Sequence, residues 1–334
     1  MSDKVFLKLK ELLPKIRKNV SLKNYSTYKI GGPAKYFFVA KNKDGLIKAL
    51  KISKKLKVPC FVLGGGSNIL FSDKGFQGLV IKVENKGIKL LNNNTILAGA
   101  GAELSKAVWL SAKRSLKGIE WAGGLPGTLG GAVRGNAGAF GGEIKDSILK
   151  VEALDKNFNF KKLSNKQCQF SYRSSIFKKR NWTVLSATIK LKKGDKKNIQ
   201  SVSQSRIKYR KERHPWEYPN AGSIFKNCAL SEFSPKLKKS LLGVVKNDPF
   251  PIIPTAYLIA ESGLKGVKFG KAQISEKHPN FIVNLGGAKA QDVLKLIDLV
   301  KQKINKIYNI KLETEVQFVG MGSDKIIKKY ENYN

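Results

Sequence analysis

Arg173, Ser223 and Glu315 carry side chains that could hold a negatively charged group and deliver a proton to it. Only eight of the 63 basic residues are arginine, so we interpret the planar guanidinium of Arg173 as a bidentate carboxylate binder. Ser223 lies in Ala-Gly-Ser-Ile, not in the Gly-x-Ser-x-Gly turn of hydrolase nucleophiles, and a lone serine in a turn is usually structural. Glu315 shares a predicted strand face with Glu313 and Gln317, which on its own indicates a solvated face. Residue types alone therefore leave Ser223 and Glu315 open to a structural or a catalytic interpretation.

Three further arginines, Arg206, Arg210 and Arg213, precede Ser223 in the sequence. With Arg173 they make up half of the arginines in the chain, all between residues 173 and 213. We interpret them as a positive rim that would attract an anionic ligand.

A first glycine-rich segment follows an apolar run and consists of Gly64, Gly65, Gly66, Ser67 and Asn68. Consecutive glycines let backbone N–H groups approach a phosphate closely. The dinucleotide fingerprint G-x-G-x-x-G fails here because Ile69 stands at its third glycine position, and the chain has no Walker A motif. A tight turn without a ligand is an equally good interpretation of this segment alone.

A second segment is denser, with nine glycines in the twenty residues 123–142. Each glycine in regular structure costs about 0.5–1 kcal/mol relative to alanine, so such a run needs a physical reason. Apolar residues such as Leu129 and Val133 argue against a loose loop. We therefore expect this main chain to pass close to a large flat or phosphorylated ligand.

Alternating strand-like and helical patterns over residues 36–83 predict the elements that would position the first segment. Apolar runs at 36–40, 59–63 and 78–83 predict strands, and Asp44 is predicted to cap a helix between the first two. Glycine-rich turns join these elements, which is typical of α/β and α+β proteins.

The second half of the chain contains a polar stretch at 192–198, which predicts a linker or an exposed turn and a domain boundary near residue 200. Alternation over 311–319 predicts a strand. Apolar residues at helical spacing predict a helix that contains Val293, Ile297, Val300, Ile304 and Ile307. We predict three domains, at residues 1–84, 85–200 and 201–325, with the strand at 311–319 packing back on the first two.

The composition, with 42% hydrophobic and 9% aromatic residues, describes a globular protein. A net charge of +39 raises the possibility of RNA binding. The lysines are nevertheless scattered from Lys4 to Lys329, and no RNA-recognition signature accompanies them. We expect a solvated lysine-rich surface and no specific nucleic-acid partner.

Three cysteines, Cys60, Cys168 and Cys228, stand far apart, and only two histidines are present. This pattern predicts neither a disulfide framework nor a metal site. No apolar run of about 18 residues and no signal-peptide core occur, so we expect a cytoplasmic protein without a membrane span.

Seven motifs in register, spread from about residue 25 to residue 320, resemble the UDP-N-acetylenolpyruvoylglucosamine reductase family. Each motif is weak alone, but their common order along the chain is specific. They are Thr27-Tyr28-Lys29-Ile30-Gly31-Gly32-Pro33-Ala34, Leu63-Gly64-Gly65-Gly66-Ser67-Asn68, residues 123–132, Asn136-Ala137-Gly138-Ala139, Tyr172-Arg173-Ser174-Ser175, residues 220–227, and Leu312-Glu313-Thr314-Glu315-Val316.

The resemblance implies an α+β protein with α/β-type subdomains, in an FAD-binding fold of the vanillyl-alcohol-oxidase type with a separate C-terminal substrate-binding domain. It implies that hydride from NADPH passes through FAD to C3 of the enolpyruvyl ether of UDP-N-acetylglucosamine enolpyruvate, whose C2 is then protonated. The product is UDP-N-acetylmuramate, a peptidoglycan precursor. The resemblance assigns cofactor contacts to Gly64, Gly65, Gly66, Ser67, Asn68, Gly123, Gly124, Pro126, Gly127, Thr128, Gly130, Gly131, Ala132, Asn136, Ala137 and Gly138.

The same resemblance makes Ser223 the proton donor and lets Arg173 and Glu315 stabilise the enolic intermediate. It assigns substrate contacts to Arg213 and Asn227 and matches His278 to a family motif without giving it a chemical role.

Two departures from the family pattern leave substrate contacts open. The stretch 229–255 is longer than expected and could be a substrate lid or a surface excursion, and residues 192–206 contain no tyrosine. The missing tyrosine predicts the subtype without a tyrosine-bearing substrate loop. We expect a monomer, and a flavin oxidase or dehydrogenase of another alcohol or sugar is the alternative function.

Overall fold

The computed structural model of this chain describes residues 3–321. Its helices are α1 (Lys4–Leu12), α2 (Lys43–Lys55), α3 (Leu104–Lys113), α4 (Leu129–Gly135), α5 (Ile176–Lys179), α6 (Lys196–Arg213), α7 (Pro235–Leu241), α8 (Thr255–Glu261) and α9 (Ala290–Tyr308). Its strands are β1 (Arg17–Ser21), β2 (Pro33–Ala40), β3 (Cys60–Leu63), β4 (Ile69–Phe71), β5 (Phe76–Val83), β6 (Ile88–Asn92), β7 (Thr95–Gly99), β8 (Leu116–Lys117), β9 (Gly138–Ala139), β10 (Gly142–Glu143), β11 (Ile148–Leu154), β12 (Phe160–Ser164), β13 (Thr183–Lys190), β14 (Lys192–Lys193), β15 (Cys228–Ala229), β16 (Lys246–Asn247), β17 (Pro251–Ile253), β18 (Lys268–Phe269), β19 (Ala272–Ile274), β20 (Ile282–Asn284) and β21 (Gln317–Val319).

The described residues form two compact units. The first contains the chain up to Val20, Ala34–Gly65 and Gln77–Arg210. The second contains Ser21–Pro33, Gly66–Phe76 and the chain from Lys211 onward. Each unit has its own cluster of buried apolar side chains.

The first unit contains two larger sheets, and the first glycine-rich segment begins at the end of a strand of one of them. The strand order is β1-β2-β5-β3 in one sheet and β12-β11-β13-β7-β6 in the other. β3 pairs with β5 in parallel, whereas the five-stranded sheet is antiparallel throughout. The first glycine segment therefore leaves the carboxyl end of a parallel strand, β3.

In the second unit, two three-stranded sheets, β15-β17-β16 and β18-β19-β20, accompany a parallel pair of β4 and β21. Helix α9 lies against β18 and β19. Its residues Val293, Ile297, Val300 and Ile304 are buried, as their spacing predicted, whereas Ile307 in the last turn is exposed.

Three local predictions were wrong. Asn42, not Asp44, caps α2, because Asn42 has an extended backbone and its Oδ1 accepts a hydrogen bond of 2.8 Å from Gly45 N. Residues 192–198 are not a linker but form β14 and the start of α6. Within the predicted strand 311–319, only residues 317–319 form a strand, β21. Among the residues before it, Thr314 pairs with Phe225 through a single isolated bridge, which is too short to make a strand.

The three-domain division at residues 84 and 200 stays a prediction. The two compact units part after Arg210, and residues 21–33 and 66–76 cluster with the C-terminal part of the chain. The strand β21 pairs with β4, and both belong to the second unit.

No helix within residues 3–321 is long and apolar enough to cross a membrane. Within the same residues, no group of three or more His, Cys, Asp or Glu side chains is placed to hold a metal ion. All three cysteines are free thiols.

Candidate active site

Ser223 and Glu315 lie on two extended segments of the second unit that are hydrogen-bonded to each other. Glu315 N donates to Ile224 O at 2.8 Å, and Lys226 N donates to Glu313 O at 3.0 Å. The backbone after Ser223 is therefore tied directly to the backbone at Glu315. Ser223 is half-buried, as is Glu315, so both remain accessible to a ligand.

Asn68, a predicted cofactor contact, belongs to the same hydrogen-bonded group in the second unit. Its Nδ2 donates to Glu315 O at 3.0 Å, and its own carbonyl accepts from Gln317 N at 3.0 Å. The Thr27 hydroxyl donates to Asn220 O at 2.7 Å, and Asn220 lies three residues before Ser223 in the sequence. The motifs around Thr27, Asn68 and Glu315 thus converge on one place in this unit.

Asn227, the predicted substrate contact, is oriented by the start of α8. Thr255 N donates to Asn227 Oδ1 at 3.2 Å, and the Thr255 hydroxyl donates to Lys226 O at 2.6 Å. Cys228 Sγ lies 3.6 Å from the same hydroxyl, and burial raises the pKa of this thiol to about 11. The hydrogen bond from Thr255 N therefore holds the Asn227 side chain against the start of α8.

In the first unit, the two glycine-rich segments lie backbone against backbone. A Cβ on Gly65 would come within 2.9 Å of Gly127 Cα, and one on Gly64 within 2.7 Å of Thr128 Oγ1. Thr128 is 6% exposed, and its hydroxyl has no hydrogen-bond partner among residues 3–321. Only glycine permits this approach, and the orphan hydroxyl indicates a missing polar partner.

Lys82 on β5 supports the first segment from behind, because its Nζ donates to Gly64 O. Burial lowers the pKa of Lys82.

In the second unit, Gly66 has φ +68°, and a Cβ there would collide with the Tyr25 carbonyl. The glycine at position 66 is therefore required by the turn itself.

Arg173 occupies a tight turn in the first unit with a left-handed backbone, φ +52°. Ser171 and Ser174 close this turn with two reciprocal hydrogen bonds of 3.0 Å. The guanidinium packs over Gly138, since a Cβ there would lie 3.3 Å from Arg173 Nη1. A non-glycine residue in this strained conformation is typical of functional sites.

Asn136, a predicted cofactor contact, is fully buried and caps α4. Its Nδ2 donates to Glu143 Oε1 at 3.0 Å and to Ser171 O at 3.1 Å, and its Oδ1 accepts from Lys145 N. The side chain is therefore used within the protein and connects the second glycine segment to the Arg173 turn. Because the side chain of Asn136 is used in this way, we expect its main chain to make the predicted cofactor contact.

Arg206 and Arg210 on α6 form a cationic cluster in the first unit with Phe140. Their guanidinium carbons lie 4.4 Å and 5.1 Å from the Phe140 ring centroid. Arg210 is only 6% exposed, and its Nε donates to Gly123 O at 3.0 Å. Burial, with a smaller contribution from the charges of Arg173 and Arg206, lowers the pKa of Arg210 to about 10.

Two donor atoms of this cluster, Arg206 Nε and Arg210 Nη2, are buried and have no partner within residues 3–321. A buried cation with unused donors and like-charged neighbours is costly unless an anion joins it. The prediction that Arg210 belongs to an exposed positive rim is therefore wrong, because Arg210 is buried beside Gly123. Arg213 is exposed and belongs to the second unit.

His278, which the sequence left without a role, packs in the second unit against His214 and Phe281, at ring-centroid distances of 5.3 Å and 4.7 Å. Burial lowers the pKa of His278 to about 4, so the ring is neutral at pH 7. This environment gives His278 a packing role.

In the first unit, the glycine-rich segments lie with buried cationic and hydroxyl donors that lack partners among residues 3–321, which suits the anionic cofactor of an FAD-dependent oxidoreductase. A family model described as "FAD binding domain" matches residues 34–161. A second, described as "UDP-N-acetylenolpyruvoylglucosamine reductase, C-terminal domain", matches residues 214–319. The chain belongs to the UDP-N-acetylenolpyruvoylglucosamine reductase family.

Individual relatives support this membership over nearly the whole chain. The reductase of Anoxybacillus flavithermus is 40% identical over 307 residues, which are 91% of this chain and 94% of the relative. That of Caldanaerobacter subterraneus subsp. tengcongensis is 38% identical over 322 residues, 96% of this chain and 99% of the relative. The crystal structure of UDP-N-acetylenolpyruvylglucosamine reductase (MurB) from Thermus caldophilus aligns with a TM-score of 0.72 at 31% identity, covering 91% of this chain and 99% of that one.

These findings confirm the predicted family, the FAD-binding domain and the separate C-terminal domain. They do not test the individual site residues, which stay predictions. Sequence reasoning missed Lys82, Thr255 and Asn280 as supports of the site, although Asn280 stands in the same motif as His278.

Proposed function

We propose that this chain is an NADPH-dependent flavoenzyme that reduces the enolpyruvyl ether of UDP-N-acetylglucosamine enolpyruvate to UDP-N-acetylmuramate, in peptidoglycan precursor synthesis. Family membership over more than nine-tenths of the chain supports this activity. The single structural observation that carries it is the hydrogen bond from Glu315 N to Ile224 O, which ties the backbone of Glu315 to the residue after Ser223. A proton donor must be held within hydrogen-bond reach of the atom that it protonates, and this pairing fixes the backbone beside the Ser223 hydroxyl.

FAD fits the residues present in the first unit, where Thr128 Oγ1, Arg206 Nε and Arg210 Nη2 lack partners beside the glycine-rich segments. Gly64, Gly65, Gly127, Thr128 and Arg210 would hold it. When bound, FAD supplies the hydride that it takes from NADPH.

The chain's own residues do the remaining work on the substrate. The Arg173 guanidinium binds the substrate carboxylate and stabilises the negative charge that hydride addition places on it. The Ser223 hydroxyl donates its proton to C2, and Glu315 supports the enolic state. Asn227 Nδ2 and Arg213 donate hydrogen bonds to the UDP-sugar.

A flavin spectrum tests the activity directly. Purified protein should be yellow, its flavin absorbance should bleach with NADPH, and the enolpyruvyl substrate should restore it. A colourless protein that takes up no added FAD contradicts the proposal.

Replacing Ser223 by alanine tests the proton donor and separates this function from an oxidase of alcohols or sugars. We expect reoxidation of reduced enzyme by the enolpyruvyl substrate to fall by about 10²-fold or more, while NADPH still reduces the flavin at its normal rate. The two half-reactions are measured separately by stopped-flow absorbance. An equal loss in both would show that Ser223 acts on folding.

Three finer points belong to the same proposal. The missing tyrosine between residues 192 and 206, where β14 and α6 leave no long loop, supports the subtype without a tyrosine loop. Three free thiols support a reducing, cytoplasmic location. The monomeric state stays a prediction, which size-exclusion chromatography with light scattering checks.

A further inference from the structure

Asn280 is a buried residue of the second unit, and its side-chain amide hydrogen-bonds to the segment that follows Ser223. Its Oδ1 accepts from Phe225 N at 3.0 Å, and its Nδ2 donates to Phe225 O at 2.9 Å. Its own carbonyl accepts from Ile224 N at 2.8 Å. One side chain thus satisfies both backbone groups of Phe225, as a neighbouring β-strand would.

On one edge of the segment that contains Ile224 and Phe225, the Asn280 side chain takes the place of a neighbouring strand. On the opposite edge, the segment pairs with residues 313–315, through the Phe225–Thr314 bridge and the two hydrogen bonds at Glu313 and Glu315. On the Asn280 edge no named strand lies beside Ile224 and Phe225 within the described residues. The amide of Asn280 therefore supplies the lateral hydrogen bonds that hold this segment in register.

Asn280 is suited to this role because it is only 3% exposed and sits between packed neighbours. Ile224 and Phe225 are 0% and 2% exposed, so their backbone groups have no water to bond with if the amide is lost. Loss of the side-chain hydrogen bonds would loosen the segment on this edge and change the position of the Ser223 hydroxyl.

We propose that Asn280 is a positioning residue for proton delivery, holding the Ser223 segment in the register that Glu315 also fixes. The inference rests on the proposed role of Ser223 as proton donor. Asn280 does not touch the substrate in this account; it acts through the backbone of Ile224 and Phe225.

The test replaces Asn280 with aspartate, which has the same shape. A carboxylate can accept from Phe225 N but cannot donate to Phe225 O, which it repels. The neutral acid can do both, so lowering the pH should restore the original pattern, and burial beside a carbonyl raises the pKa of such an acid.

Asn284 offers a matched control in the same unit. It is equally buried, its Nδ2 donates to Tyr28 O at 3.0 Å, and its Oδ1 accepts from Gly286 N and Ala288 N. Asn284→Asp therefore alters a comparable buried amide whose side-chain hydrogen bonds go to Tyr28, Gly286 and Ala288 and not to the segment that follows Ser223.

Both half-reactions are measured on holoenzyme, normalised to bound flavin. For Asn280→Asp at pH 8 we expect the reoxidation by enolpyruvyl substrate to slow by about 10- to 100-fold, with NADPH reduction within about twofold of the original. Reoxidation should recover, relative to unaltered enzyme, as the pH is lowered. Asn284→Asp should leave the ratio of the two half-reactions unchanged at every pH.

Other results overturn the inference. If Asn280→Asp matches Asn284→Asp, or slows both half-reactions equally, Asn280 serves folding alone. Ser223→Ala, run in parallel, keeps the two proposals apart: its loss of reoxidation without a loss in Asn280→Asp defeats only the positioning role. Normal reoxidation in Ser223→Ala defeats the proton-donor role and the inference with it.

Discussion

At the scale of single residues, the backbone fixes the candidate catalytic side chains in each unit. In the second unit, Glu315 N donates to the carbonyl of Ile224, the residue after Ser223, and in the first unit Arg173 is held in a left-handed turn beside Gly138. Arginine is rare in this lysine-rich chain, which is why Arg173 was predicted to bind a carboxylate, and that role stays a prediction. The sequence could not say that Arg210 is buried, because burial depends on where α6 packs.

Replacing Arg210 by methionine should weaken FAD binding. The unused Nη2 and the buried charge of Arg210 point to an anionic partner, and a hydrogen bond to a charged group contributes about 1.5–3 kcal/mol, or about 10- to 100-fold in affinity. Fluorescence titration of the apoprotein with FAD measures the change. Arg180→Met is the control, since Arg180 is exposed beside Trp182, and unchanged FAD affinity in Arg210→Met would contradict the assignment.

At the scale of elements, the long stretch 229–255 proves to be folded structure whose end supports the site. Strands β15 and β17 pair through Cys228 and Ile253, which brings the first turn of α8 beside Asn227. The stretch was left open between a lid and a surface excursion. Its last residue, Thr255, now has a structural connection to the predicted substrate contact.

Two substitutions at Thr255 separate its hydroxyl from its backbone N–H. Thr255→Val removes the hydrogen bond to Lys226 O, and Thr255→Pro also removes the N–H that orients Asn227, at the first helical position where proline is tolerated. We expect KM for the UDP-linked substrate to rise about threefold in the valine variant and about tenfold or more in the proline variant, with NADPH reduction unchanged.

Steady-state kinetics with each substrate varied in turn measures these effects. Thr255→Ser retains both donors and should behave as the unaltered enzyme. Equal KM values in the valine and proline variants would show that the N–H of Thr255 does not orient Asn227.

At the scale of the whole molecule, the net charge of +39 is the property least connected to the site. The cations are mostly lysines spread along the chain, whereas Arg206 Nε and Arg210 Nη2, which have no partner among residues 3–321, are buried atoms of the first unit. Dispersed surface charge affects solubility and encounter rates more than specific recognition.

We expect any association with polynucleotide to be weak and steeply salt-dependent. Non-specific binding has Kd values of about 10⁻⁴–10⁻⁶ M at physiological salt, and lysine contacts to phosphate should give no tighter complex here. Filter binding with single- and double-stranded RNA across a salt series measures this. Binding well below 10⁻⁶ M at about 150 mM salt would revive the RNA-binding alternative.

The sequence by itself determined the family, the cofactor and the glycine-rich segments, because motifs, glycine spacing and helical periodicity are local properties of the chain. Helix α9 and the glycines at 64–66 follow from such local patterns. Only the tertiary structure decided which polar groups meet. Asn280 bonds to Phe225, 55 residues away in sequence, and Asn68 bonds to Glu315, 247 residues away. Hydrogen bonds between residues so far apart cannot be inferred from motifs, glycine spacing or helical periodicity. They form because packing excludes water from backbone groups that must then find partners inside the protein.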